Sequence, residues 1–295
     1  MPPHPYPPAE HILRHLDLEV EVRPDATASA WLPVSEHLLA SDGGVHAGVL
    51  AILVDIVGGA VATRVLYPDR TATADLQLQL LRPAGGPEVE ARASVLRKGR
   101  TTLVLEVVLL DAPGGRLTGD GSPNAWATMT YAVLPRTDAP PLMQPLPIEP
   151  ERTTIGSASL TRPVLEAIGV RTDRGSAGVA LSVGDYVSNT FGALQGGVMA
   201  LLGAVAGSSA VDDALGLRTG SAATVDLQVA YLAMGRVGPI ISETDSITAE
   251  AGPATGGTGD DGQGTVGTGS AVIRLLDQGG DARVTAVVQV GAVTR

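Results

Sequence analysis

Residues 45–64 read VHAGVLAILVDIVGGAVATR, and residues 194–211 read LQGGVMALLGAVAGSSAV. Each stretch has a polar residue and glycine near its start and continues with apolar residues at helical spacing, which predicts a long helix. Nearly every position of the first stretch is apolar, so we expect its helix to be buried on almost all sides. These two helices, half a chain apart, are the elements around which the chain is organised.

Asp55 is the one ionisable side chain between His46 and Arg64. A carboxylate in the middle of a buried helix is costly unless it is paired or hydrogen-bonded, and loss of solvent raises its pKa toward the range that a general base needs. Asp55 is therefore the first candidate for chemistry. The alternative is a structural carboxylate at the rim of the apolar face, reaching water or a backbone amide.

The composition favours an acidic globular protein with two cores. The chain has 295 residues, 44% of them hydrophobic, and a net charge of -11 with a single lysine, so a nucleic-acid groove or an anionic membrane surface is not expected. The absence of cysteine excludes disulfides, thiol catalysis and cysteine-ligated metals, and fits the cytoplasm. All five histidines lie in the first 46 residues. We expect neither a metal nor a cofactor.

Targeting signals are not evident in the sequence. The first eleven residues, MPPHPYPPAEH, lack the basic and apolar segments of a secretory signal, and we expect them to form a loose arm. Asp55 and Arg64 interrupt the first apolar helix, and the second is short and rich in small residues. Both are therefore expected to be core helices and not membrane spans.

A meander of strands is predicted around the first helix. Alternating or β-branched runs predict strands at residues 16–22 and 26–32 before the helix, and at 71–81, 89–96, 101–110 and 126–134 after it. Tight turns rich in glycine and proline join the later strands. One long helix against an antiparallel meander is an α+β pattern.

The second half repeats this pattern. Residues 135–150 are proline-rich and read as an extended linker. Beyond them TVDLQVAYL at 224–232 matches TADLQLQLL at 73–81, which indicates a duplicated unit. We predict an N-terminal domain at residues 1–137, a linker at 138–154 and a C-terminal domain at 155–295. Residues 252–269 are glycine-rich without the lysine of a phosphate-binding loop, and we expect a surface insertion.

The runs HAGVLAILVD, TATADLQLQLLRPA and VLRKGRTTLVLEVVLLD resemble hotdog-fold acyl-CoA thioesterases, especially the phenylacetate-degradation type. The resemblance covers both halves and is more specific in the first. It implies an α+β fold of two tandem hotdog domains, each an antiparallel sheet wrapped around one long central helix, paired as a pseudo-dimer within the chain. In that family each active site takes residues from both units.

The two halves have lost different parts of the family pattern. In the family, one unit supplies an acid on its helix and a Ser or Thr on the next strand. The other unit supplies an Asn, a His or Gln, and a glycine N–H. The first half keeps the acid as Asp55 and the hydroxyl as Thr73, but has Ala40 and Ala47 where the Asn and the first glycine are expected. The second half has Ala204 in place of the acid and keeps Asn189, Gln195, Gly196 and Gly197. The resemblance therefore implies one complete composite site per chain and one site without a base.

The resemblance also implies the role of each residue. The N–H of Gly196 would stabilise an oxyanion, Asn189 and Gln195 would position the thioester carbonyl, and Asp55 with Thr73 would deprotonate water, or Asp55 would attack directly. Each residue has a structural alternative: a turn residue at 189, a helix cap at 195 and a solvent-facing hydroxyl at 73.

Substrate contacts are expected at Gly197, at His46 and at the basic turn formed by Arg97, Lys98 and Arg100. His46 matches the family motif but falls in the half-site without an acid, so it is predicted to be structural or to contact substrate. The basic turn has no counterpart in the second half and resembles the family's nucleotide-binding turn. A solvated hairpin is the alternative.

Hydrolysis of acyl-CoA thioesters is the function that these features predict. A non-hydrolytic acyl-CoA-binding or sensing protein is the alternative, because degenerate tandem units can keep affinity without turnover. A hydratase or dehydratase is less favoured, since His46 would face Ala204 instead of an acid. The expected partners are acyl-CoA and a second copy of the chain, giving four hotdog units, with no nucleic acid and no membrane. The sequence does not define the acyl group.

Overall fold

The structure is a computed structural model that describes residues 6–112, 121–134, 144–156, 159–172, 178–252 and 267–294. The helices are α1 Ile12–His15, α2 Ala47–Val65, α3 Val164–Ile168 and α4 Gly196–Ala214, with a 3-10 turn at Glu36–Leu38. The first seven strands are β1 Glu19–Val22, β2 Ala28–Pro33, β3 Thr71–Leu80, β4 Glu88–Lys98, β5 Thr102–Ala112, β6 Ala125–Val133 and β7 Glu151–Thr154. The later strands are β8 Arg171–Thr172, β9 Val179–Leu181, β10 Ala223–Tyr231, β11 Ile240–Ala251, β12 Gly267–Asp277 and β13 Arg283–Val293.

The described strands form one sheet in the order β7-β1-β2-β4-β5-β6-β3-β10-β13-β12-β11-β9-β8. Helix α2 packs on the strands of the first half and α4 on those of the second, and the central β3–β10 pair joins the halves. The predicted α+β architecture of two similar units paired within the chain is confirmed. Each unit places one long helix against an antiparallel sheet.

The long helices begin where a polar side chain caps them. The Nδ1 atom of His46 accepts a hydrogen bond from the Gly48 N–H at 3.0 Å, and Oε1 of Gln195 accepts one from the Val198 N–H at 2.9 Å. Such caps satisfy N–H groups that lack a partner in the first turn. Helix α2 is long and apolar enough to cross a membrane by composition, yet most of it is buried inside the protein.

Two glycines let α2 and α4 cross at close range. A Cβ at Gly48 would lie 2.5 Å from the Cα of Leu201, and a Cβ at Gly197 would lie 2.5 Å from the Cα of Ile52. The two contacts occupy equivalent positions of the repeat, so the helices cross about a pseudo-twofold axis. The crossing places the start of α4 beside the middle of α2, where Asp55 lies.

The β3–β10 pair aligns the two halves along the sheet. The strands are antiparallel, with Gln77 opposite Gln228 and Asp75 opposite Ala230. The end of β10 therefore lies beside the start of β3. This register brings Tyr231, the next residue of β10, close to the start of β3 in the first half.

The prediction of a loose N-terminal arm is wrong for residues 6–11, while residues 1–5 lie outside the described part. His11 is fully buried, its Nε2 lies 2.9 Å from the carbonyl of Ser188, and its Nδ1 caps α1. The ring of Tyr6 packs edge-on against His11 at 5.3 Å. Polar contacts to the second half, which no periodicity reveals, thus fix this segment.

The boundaries between the halves stay a prediction. Residues 135–143 lie outside the described part, and β7, which falls within the predicted linker, pairs with β1 of the first half. The β11 strand was not predicted, because its outward positions are polar and its apolar alternation is weak. Of the predicted glycine-rich insertion at 252–269, residues 253–266 lie outside the described part, and residues 267–269 belong to β12 instead.

Replacing a single glycine tests the helix crossing. We expect Gly48→Ala to lower the free energy of unfolding by about 1–3 kcal/mol, because the new methyl group meets the backbone of the other helix. Gly59→Ala in the same helix is the matched control, since no atom lies within 4 Å of its added Cβ. We expect it to raise stability by about 0.5–1 kcal/mol. Urea denaturation of both variants measures this, and equal effects would contradict the packing.

Candidate active site

Asp55 receives hydrogen bonds from both halves of the chain. Its Oδ2 accepts from the Gln195 amide Nε2 at 2.6 Å and from the Gly197 backbone N–H at 3.1 Å. Its Oδ1 accepts from the Thr73 hydroxyl at 3.3 Å. The structure thus brings the acid and hydroxyl of the first half to the start of α4 in the second.

Burial controls the acidity of this carboxyl group. Loss of solvent raises the pKa of Asp55 from 3.8 to about 6, although the hydrogen bonds from Gly197, Thr73 and Gln195 lower it. The start of α4 also favours the negative charge through its helix dipole. A carboxylate with this pKa is ionised at neutral pH and basic enough to accept a proton in catalysis.

Gly196 lies directly at the acid. A Cβ at this position would lie 3.1 Å from Oδ2 of Asp55, so the site has no room for a larger residue without rearrangement. The Gly196 carbonyl accepts a hydrogen bond from the Tyr231 hydroxyl at 3.0 Å. Its N–H is in the first turn of α4 and makes no hydrogen bond within the described residues. That N–H is available to a ligand oxygen.

A cavity of about 850 Å³ opens at the acid. Asp55, Thr73, Gln195 and Gly196 form one part of its wall, and the cavity continues along α2 past Ile56 and Gly59. Apolar lining with a few converging polar groups is typical of small-molecule sites. The partly exposed face of the Asp55 carboxylate is turned toward this space.

Two tyrosines that the sequence analysis did not select complete the site. Burial and the nearby Asp55 carboxylate raise the pKa of Tyr131 and of Tyr231 well above the usual value, so both hydroxyls stay protonated. Tyr131 lies opposite Thr73 in the β3–β6 pair, and Gly58 makes room for its hydroxyl, which would lie 2.7 Å from an added Cβ. Strand alternation marks both tyrosines as inward-facing, but only the pairing of strands places them at the acid.

Comparison with known proteins shows the family. The family model described as "Thioesterase superfamily" matches residues 42–118. A "putative esterase" of Saccharolobus solfataricus is 30% identical over 106 residues, which cover 36% of this chain and 76% of that protein. A second "putative esterase", of Halobacterium salinarum, is 37% identical over 103 residues, which cover 32% of this chain and 67% of that protein. The chain belongs to the thioesterase superfamily.

Solved structures that align with this protein over nearly the whole chain show the same fold. A Novosphingobium aromaticivorans protein described as a "putative thioesterase" aligns over 93% of this chain and 98% of its own, with a TM-score of 0.54 and 19% identity. The tesB protein of Mycobacterium avium subs paratuberculosis aligns over 90% of this chain and 92% of its own, with a TM-score of 0.55 and 14% identity. These likenesses support the fold alone, and with the family match they are consistent with two tandem hotdog units.

Within this thioesterase fold, Asn189 lines the cavity without touching the acid. Its Oδ1 accepts hydrogen bonds from the N–H groups of Phe191 at 2.9 Å and Ala193 at 3.2 Å, which hold the loop that leads into α4. Asn189 therefore makes the contacts of a turn residue. Gln195 is both a helix cap and a contact of the acid, since its Oε1 caps α4 while its Nε2 donates to Asp55.

The equivalent position of the thioesterase repeat lacks a base. Ala204 is fully buried, and its carbonyl accepts a hydrogen bond from the Thr224 hydroxyl at 3.4 Å. His46, the counterpart of Gln195, caps α2, and burial lowers its pKa to about 4, so the imidazole is neutral at physiological pH. The His46 contacts are those of a structural residue.

The basic turn lies at the C-terminal end of α2. Arg97, Lys98 and Arg100 are exposed on the β4–β5 hairpin, and Lys98 Nζ donates to the carbonyl of Val65 at 2.7 Å. None of the three is among the described residues that line the cavity. Their role in binding coenzyme A stays a prediction. The arginines of the cavity wall are Arg14, Arg64 and Arg70, which the sequence analysis did not select.

Asp55→Asn tests the raised pKa through stability. The variant keeps the shape of the side chain and an oxygen that accepts from Gln195 and Gly197. The pKa of Asp55 is raised from 3.8, the value for the unfolded chain, to about 6 in the folded protein, so the proton binds the folded protein more tightly. Protonation of Asp55 therefore contributes stability that is fully present below the unfolded-state pKa and is lost as the pH rises through the folded-state pKa. We expect the unfolding free energy of the wild type, relative to the variant, to fall as the pH rises from about 4 to about 7. Denaturation at a series of pH values measures this, and a pH-independent difference would contradict it.

Proposed function

We propose that the protein hydrolyses acyl-CoA thioesters to a free acid and coenzyme A at one composite site per chain. The observation that carries the proposal is the contact of Asp55, a buried acid on the helix of the first half, with Gln195 and Gly197 at the start of the helix in the second half. Superfamily membership supports thioester hydrolysis. The phenylacetate-degradation type, a cytoplasmic location and pairing of two chains are parts of the same proposal.

Water is the proposed nucleophile. Oδ2 of Asp55 already accepts two hydrogen bonds, whereas Oδ1 accepts only that of Thr73, which makes Oδ1 the more basic oxygen. Oδ1 takes a proton from water while the water oxygen attacks the thioester carbon. The Thr73 hydroxyl positions that water.

The carbonyl oxygen of the substrate is proposed to bind at the N–H of Gly196. Negative charge develops on this oxygen in the tetrahedral intermediate, and a backbone N–H at a helix start is already oriented to stabilise it. When the intermediate collapses, the carbon–sulfur bond breaks and protonated Asp55 returns its proton to the thiolate. The buried hydroxyl of Tyr231 holds the Gly196 carbonyl and so orients this turn of α4.

Activity toward acyl-CoA is expected to depend on ionised Asp55. We expect kcat/KM for a panel of acyl-CoAs to rise with pH and level off above an apparent pKa of about 6. Asp55→Asn is expected to lower kcat by about a hundredfold to ten-thousandfold and to remove the acidic limb. Release of free thiol measures both. Acyl-CoA binding by the wild type without release would instead indicate the non-hydrolytic alternative.

The two equivalent helix positions provide a matched test of a single site. We expect Asp55→Ser to abolish most turnover and Ala204→Ser to leave kcat within about twofold, because only the first position lies in the proposed machinery. Single-turnover titration of the wild type should give one active site per chain. Two sites per chain, or equal losses in both variants, would contradict the composite site.

A further inference from the structure

The three arginines in the cavity wall differ in how many of their donors are used. Arg14 donates through Nε, Nη1 and Nη2 to the carbonyls of Pro7, Pro8 and Ile155, so it holds the N-terminal segment in place. Arg70 packs over the ring of Phe191 at 5.6 Å. The Nε atoms of Arg70 and Arg64 are both buried without a hydrogen-bond partner. They differ in that the Arg70 guanidinium is stacked on an aromatic ring, whereas the Arg64 guanidinium is held at one end by a carboxylate.

Arg64 keeps one edge of its guanidinium unpaired. Nη1 lies 3.0 Å from a carboxylate oxygen of Glu151 and donates to the carbonyl of Pro145 at 3.3 Å. Nε is buried without a partner, and Nη2 makes no hydrogen bond within the described residues. Only 10% of the side chain is exposed. A buried donor without a partner is costly, and the Nε–Nη2 edge has the spacing that binds a carboxylate through two parallel hydrogen bonds.

The cavity connects Arg64 to the acid along α2 and around its side. Residues 55, 59 and 63 and residues 56, 60 and 64 line it at the four-residue spacing of a helix face. The nine positions from Asp55 to Arg64 correspond to about 13 Å along the helix axis and to about two and a half turns, so the two side chains leave opposite sides of the helix and the cavity follows its surface between them. Between them the wall is formed by Ile56, Gly59 and Ala60, and Val20 and Val22 of β1 also line the cavity. A linear acyl chain fits this apolar section.

We propose that Arg64 binds a carboxylate at the far end of the acyl group, so that the preferred substrates are thioesters of dicarboxylic acids. This proposal rests on the proposed function. The acyl carbonyl would lie at Asp55 and Gly196, the methylene chain along Gly59, and the terminal carboxylate at the unpaired edge of Arg64. Glu151 uses the other edge and keeps the guanidinium in place.

A phosphate of coenzyme A fits this position less well. Arg64 is nine-tenths buried and already contacts the Glu151 carboxylate, which would repel a group of several negative charges. A single carboxylate adds one charge and satisfies the orphaned Nε. An acyl group that ends in methyl would leave that edge unpaired, and sites built to hydrogen-bond a substrate group discriminate strongly against analogues that lack it.

Suberyl-CoA and octanoyl-CoA test the proposal, because their acyl chains have the same length and differ in the terminal carboxylate. We expect the wild type to prefer suberyl-CoA in kcat/KM, and Arg64→Met to lower the suberyl-to-octanoyl ratio by about tenfold to a hundredfold. Arg218→Met is the matched control, since Arg218 is exposed outside the cavity, and it should keep the wild-type ratio. Arg64→Lys keeps the charge without the bidentate edge and should give an intermediate ratio. It replaces the methionine variant if that does not fold.

The outcomes separate this proposal from the proposed function. Hydrolysis of both thioesters with a ratio that Arg64→Met does not change would overturn the carboxylate subsite alone, whereas hydrolysis of neither would remove the proposed function as well. The same two acyl groups on N-acetylcysteamine, which carries no phosphate, should show the same preference and the same dependence on Arg64. An effect of Arg64→Met that is equal for both CoA esters and absent from both N-acetylcysteamine esters would assign Arg64 to a CoA phosphate and overturn the proposal.

Discussion

The site depends on how the buried carboxylate of Asp55 is satisfied. An ionised carboxylate in a core helix is stable only with hydrogen-bond donors nearby. Two of its three donors, Gln195 and Gly197, belong to the other half of the chain. Separating the halves would leave the charge without these donors and expose the faces of α2 and α4 that meet at Gly48 and Gly197. The same contact therefore joins the two halves and forms the reactive group.

The repeat is symmetric in its backbone and asymmetric in its polar groups. The close crossing at Gly48 and Gly197 obeys the pseudo-twofold, but Asp55 has Ala204 as its counterpart. In the strand registers Tyr131 lies opposite Thr73, whereas Ala292 lies opposite Thr224. A position without the acid needs no hydrogen-bond donors around it, so the residues that surround Ala204 are free to be apolar. A covalent link between the units permits this division, which a symmetric pair of identical chains does not.

Local pattern predicted the two long helices, most strands and the acid, but not the short helices α1 and α3. The period of the apolar residues defined α2, and a lone carboxylate within it singled out Asp55. Tyr231 could not be found this way, because its place beside Asp55 depends on the β3–β10 pairing, which joins residues some 150 positions apart. The burial of His11 against Ser188 and the ion pair of Arg64 with Glu151 are also long-range contacts. They join polar residues that are far apart in the sequence, and the period of the apolar residues does not reveal which polar residues meet.

The chemistry of the site follows from two opposing effects on one side chain. Burial alone would raise the pKa of Asp55 further and leave it protonated near neutral pH, where it could not accept a proton. Three donors offset part of this cost and leave the pKa at about 6. More donors, or a cation at the same place, would lower the pKa and weaken the base. Because the donors are amides and a hydroxyl without formal charge, they stabilise the carboxylate while keeping it basic. Arg64 is held instead about two and a half turns further along the same helix, where its positive charge does not reduce that basicity through direct contact.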